Sequence, residues 1–75
     1  MWNDLHAESM VQYNEEGTGF VSDYARTNQS EDFAESYAAY IRDPEGLAFQ
    51  SQEKYDFMRD YVFGGREYAN IPLPA

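Results

Sequence analysis

Apolar residues return along this chain at helical intervals in three separate runs. Trp2, His6, Met10 and Tyr13, with Leu5 beside them, predict a helix over about 3–15. Gly17-Thr-Gly19 ends it, because glycine accepts the left-handed conformation that closes a helix. The next residues, 18 to 27, read as a connector with a short β-prone patch at Phe20-Val21. A second helix is expected over 29–42, capped by Asn28, with Phe33, Ala34, Tyr37, Ala38 and Ile41 as its apolar face. Asp43-Pro44 stops it, since a residue before proline avoids helical geometry. After a link at 45–49, Ser51 caps a third helix over 52–63, with Tyr55, Met58, Tyr61 and Val62 on one side and Gly64-Gly65 at its end. The segment 66–75 contains Pro72 and Pro74 and is expected to lie extended. The pattern therefore predicts a mostly α fold: one small three-helix domain with a C-terminal tail.

A second, polar stripe runs along the middle helix. At 100° per residue, Glu31, Glu35, Ala38 and Arg42 share a narrow band bordering the apolar face. A carboxylate at such a border can point into a cleft, where Glu31 would suit a metal ligand and Glu35 would support it one turn behind. The same residues also have a purely local use. Glu31 stands at the N3 position of a capping box, and acidic residues in a first turn favour the positive end of the helix dipole. Tyr24, in turn, can be an ordinary packing residue.

Composition narrows the field. A chain of 75 residues is one small domain, and chains of this size bury only about 60% of the surface they expose when unfolded. With no cysteine, disulfides cannot make up the difference. Fourteen Asp and Glu stand against five Lys and Arg, a formal charge of -9, which argues against direct contact with nucleic acid. Such an acidic surface can occupy a basic protein, although solubility is its simpler use. No stretch approaches the roughly 20 apolar residues of a membrane span, and the first residues have no basic start or apolar run of a signal peptide. No membrane association is expected, and a cytoplasmic location follows by default.

One longer stretch adds a resemblance. Glu15-Glu16-Gly17, then Val21-Ser22-Asp23-Tyr24-Ala25-Arg26-Thr27-Asn28, then Glu31-Asp32-Phe33-Ala34-Glu35, is similar to a zinc peptidase family. That family is typified by the catalytic domain of anthrax lethal factor and the clostridial Pro-Pro endopeptidases. The likeness begins near Ser9 and continues through Gln52-Glu53-Lys54-Tyr55-Asp56-Phe57-Met58, about three quarters of the chain. It implies that Glu31 matches the glutamate completing the zinc site after two histidines. Tyr24 matches the tyrosine whose hydroxyl stabilises the oxyanion of the tetrahedral intermediate. Glu35 matches a supporting acidic position on the same helix. The family's His-Glu-x-x-His helix has no counterpart here. His6-Ala7-Glu8-Ser9-Met10 is not a degenerate copy, and His6 reads as an ordinary helix residue.

Two functions follow as expectations. The first is a partial zinc-metallopeptidase segment, inactive alone, with no zinc expected unless another chain supplies the histidines. Peptide hydrolysis by zinc-activated water would require that complement. The second is a non-enzymatic acidic interaction or regulatory module of the kind mobile elements carry. Its uncovered helix faces would seek a protein partner or self-associate. A small helical domain with an accidental likeness ranks third.

Overall fold

The computed structural model describes residues 1–66, so the expected extended tail at 66–75 lies almost wholly outside the described residues. The mostly α class holds. Among the described residues four helices follow one another: α1 (Trp2–Glu16), α2 (Gln29–Arg42), α3 (Pro44–Gln50) and α4 (Gln52–Phe57), the last running on into a π-helical turn, Met58–Val62. A short 3-10 turn, Tyr24–Arg26, sits between α1 and α2. There is no strand at Phe20-Val21 among the described residues; Phe20 is instead buried against the helices.

The fourth helix is where the sequence reading expected a link. Asp43 does end α2, but it also starts α3. Its side chain accepts the Gly46 N–H at 3.1 Å, and Pro44 takes the first helical position, where its missing N–H costs nothing. A Cβ on Gly46 would lie 2.2 Å from Asp43 Oδ2, so glycine there leaves room for the cap. Ser51 repeats the device for α4, accepting the Lys54 N–H at 3.2 Å.

The faces are also rotated from those expected. On α2 the fully buried residues are Asp32, Ser36 and Tyr40, while Tyr37 and Ala34 are exposed. On α4 and its continuation Lys54 and Met58 are buried and Tyr61 is exposed. On α1 Ser9 is the buried residue and Met10 faces outward. The core is correspondingly small: Tyr40, Leu47 and Met58, packed about by Trp2, Val21, Phe33, Tyr55 and Phe63.

Between α1 and α2 the chain turns through two glycines. Gly17, at φ 77°, closes α1 through its N–H to the Tyr13 carbonyl. Gly19 does more. At φ 120° it passes so close to α1 that a Cβ would meet the Ser9 carbonyl oxygen at 3.1 Å. Its N–H donates to Gln50 Oε1 at 3.0 Å, and its carbonyl faces inward. Gln12 donates to the Gln50 carbonyl at 3.0 Å, so α1, this loop and the end of α3 are tied at one point.

Candidate functional site

The residues singled out by sequence lie on one short stretch, the 3-10 turn and the first turns of α2. Asn28 caps α2 as expected, its side chain accepting the Glu31 N–H at 2.9 Å. The capping box is only half formed: the Glu31 carboxylate makes no hydrogen bond or ion pair among the described residues. Tyr24 is 59% exposed, and its hydroxyl likewise has no hydrogen bond among them. Glu35, one turn beyond Glu31, accepts the Ser22 hydroxyl at 3.0 Å. Ser22 Oγ in turn accepts the Ala25 N–H at 3.2 Å, so the turn carrying Tyr24 is fastened to α2 through Glu35. Beside this contact runs a groove of about 360 Å³ lined by Val21, Ser22, Glu35, Ala39, Arg42 and Asp43.

The polar centre of the molecule lies elsewhere, one residue around the same helix. Asp32 is fully buried, and the Lys54 ammonium sits across both its oxygens at 2.8 and 3.0 Å. The third proton of that ammonium goes to the Gly19 carbonyl at 2.9 Å. The Ser36 hydroxyl donates to Asp32 Oδ1 at 3.2 Å, and His6 Nδ1 lies 2.8 Å from Oδ2. A carboxylate beside an ammonium only accepts, so His6 Nδ1 carries the proton. The Phe20 ring face is 4.2 Å from Lys54 Nζ, adding a cation–π contact. Burial lowers the Lys54 pKa below its usual 10.5, against the opposing pull of Asp32.

Sequence reasoning missed this network. By sequence Asp32 reads as a first-turn acid at the helix dipole, and His6 as an ordinary helix position. The available signal was spacing: Asp32, Ser36 and Tyr40 recur every fourth residue, and Lys54 lies four before Met58 on the face that is buried. Lys54 is also the chain's single lysine. A lone acid and a lone lysine on inward faces are the pair to suspect, since such groups are almost never fully buried unless paired.

The donor set does not fit a catalytic zinc. Such a site takes three protein ligands, and among the described residues no group of three His, Cys, Asp or Glu is placed to hold a metal ion. His6, the single histidine, has one ring nitrogen committed to Asp32. No protein-family model, curated protein or solved structure matches the chain.

A second electrostatic feature lies on the surface. Glu8 of α1 and Glu53 of α4 bring their carboxyls together, and the Glu53 carboxylate raises the Glu8 pKa above 4.5 by hydrogen bonding and repulsion. The native state therefore binds a proton more readily here than the unfolded chain does. This group's contribution is full below 4.5 and is lost as pH rises through the folded value. Glu8→Gln should accordingly raise the melting temperature at pH 7, and the gain should vanish near pH 4. A thermal scan of both proteins at the two pH values measures it; an equal shift at both would show that repulsion is not the cause.

Proposed function

We propose that this chain is the tyrosine- and glutamate-bearing part of a zinc-peptidase-like site, inactive alone and completed only by histidines from another chain. The observation that carries the reading is the idleness of two groups in a region where their neighbours are engaged. The Tyr24 hydroxyl and the Glu31 carboxylate have no hydrogen bond among the described residues, whereas Asp32, Glu35 and Ser22 all do. A glutamate kept only for capping would close the box with the Asn28 N–H. Glu35 has the positioning part, since its bond to Ser22 fixes the Tyr24 turn against the helix that carries Glu31. The resemblance in sequence supplies the roles: metal ligand for Glu31 and oxyanion stabiliser for Tyr24.

The test is a zinc titration of the chain with a synthetic helical peptide carrying His-Glu-x-x-His. The chain alone should bind zinc weakly. Chain and peptide together should hold it at least tenfold more tightly than the peptide alone, and Glu31→Gln should abolish that gain. Tyr24→Phe should leave zinc affinity unchanged, because its hydroxyl is assigned to a later charge and not to the metal. Zinc affinity of the peptide that is the same with and without the chain would end the reading.

A further inference from the structure

A second surface lies between α1 and α4, and neither Tyr24 nor Glu31 lines it. A groove of about 260 Å³ opens between the first turns of α1 and the run from α4 into the π-helical turn. Met1, the N-cap of α1, and Leu5 form one wall, and Phe57 and Tyr61, on the run from α4 into the π-helical turn, form the other. Met1 and Tyr61 are 67% and 68% exposed. Glu53, Asp56 and Asp60 rim the groove along the α4 side.

We propose that this groove docks a basic amphipathic helix, taking its apolar side chains between the walls and its Lys or Arg residues against the rim. Three features select that occupant. The walls are apolar side chains on two neighbouring helical runs, the kind of groove that receives the apolar face of an amphipathic helix. The volume falls below the roughly 300–1,000 Å³ of small-molecule pockets, so inserted side chains suit it better than a free ligand. The charge is one-sided. Arg59 lies on the same helical run and is divided between Asp56 at 3.5 Å and Asp60 at 2.8 Å. Glu53 has no cation among the described residues; it faces Glu8 of α1, and Asp4 adds to the repulsion on Glu8. A cation brought to Glu53 would relieve that repulsion, so binding gains from a contact the free protein lacks. A second copy of the chain would bring its own charge of -9, and an anionic lipid surface would be repelled in the same way.

Trp2 reports on the site, because its ring packs edge-on against Phe57 with centroids 5.2 Å apart. A synthetic helix with leucines at i, i+4 flanked by lysines is titrated against the full chain while tryptophan emission is followed. A twin peptide with glutamate for each lysine serves as the comparison. The lysine peptide should bind, weaken as salt rises, and lose at least tenfold affinity to Tyr61→Ser and to Glu53→Lys. The glutamate peptide should not bind, and Tyr24→Phe or Glu31→Gln should change nothing. Equal binding of both peptides would show a merely sticky apolar patch and overturn the proposal. So would lysine-peptide binding that survives Tyr61→Ser, no binding of the lysine peptide to the native chain, or a dimer in sedimentation that Tyr61→Ser dissolves.

Discussion

Lys54→Met should cost about 3–5 kcal/mol, the price of leaving one member of a buried ion pair without the other. The geometry explains why the cost is high. Asp32 is fully buried, and the lysine covers both its oxygens while holding the Gly19 carbonyl. Methionine matches the stem but satisfies neither. A chain of 75 residues has about 4–11 kcal/mol of stability in all, so the variant should lose a large share of it. Adding Asp32→Leu to Lys54→Met should recover much of the loss, because the uncompensated charge disappears with it. It should not recover all, since His6, Ser36 and the Gly19 carbonyl lose their partners. Urea unfolding of the two single variants and the double completes the cycle. Additive losses would show that the two side chains do not act as a pair.

The same pair leaves a signature in pH. Burial lowers the folded pKa of Lys54 below 10.5, so between that lowered value and 10.5 the unfolded chain holds more protons than the native one. The contribution of this group is therefore full above 10.5 and lost as pH falls through the folded value. The ion pair is thus costly to form and costly to break, which makes it a constraint on register more than a source of stability. It holds α1, the Gly19 loop, α2 and α4 to one arrangement.

What was legible in the sequence divides along physical lines. Helix ends were readable wherever one side chain sets them, as with Asn28, Ser51 and Gly17, because caps and left-handed glycines are local interactions. Asp43 reads by sequence as a stop alone, since a residue ending one helix and capping the next has the same local signature as either. Which face turned inward was readable only in part: Trp2, Phe33, Tyr55, Met58 and Val62 lie in or against the core as expected, whereas Met10, Tyr37 and Tyr61 are exposed. The aromatic residues Tyr37 and Tyr61 suggested one side, yet Asp32, Ser36 and Lys54 occupy the interior because together they satisfy one another. A network of that kind joins residues far apart in sequence: spacing puts Asp32 and Ser36 on one face and Lys54 on another, but does not say which partner each one meets. The candidate site was legible only as positions: Tyr24, Glu31 and Glu35 stand out in the sequence, but nothing there shows that Glu35 binds Ser22 while Glu31 has no partner among the described residues.

Tyr40→Ala should produce the second large loss, about 3–5 kcal/mol, in the range found for truncating a buried aromatic ring. Tyr40 has no exposure, and its ring stacks on Phe63 with centroids 4.5 Å apart and planes 7° from parallel. It also meets the Tyr55 ring at 5.6 Å, and its hydroxyl donates to the Arg66 carbonyl. Removing the ring opens a cavity between α2 and the π-helical turn in a core whose other buried members are Leu47 and Met58. So small a core has little material with which to collapse around a void. Tyr40→Phe separates the two parts of this role. It keeps the stack and removes the hydroxyl, and because Arg66 is exposed its carbonyl can turn to water. That variant should lose only about 1 kcal/mol, the net worth of an ordinary hydrogen bond. Melting curves of the pair decide the matter: equal losses would mean that the hydroxyl, and not the packed ring, holds the last described turn to the core.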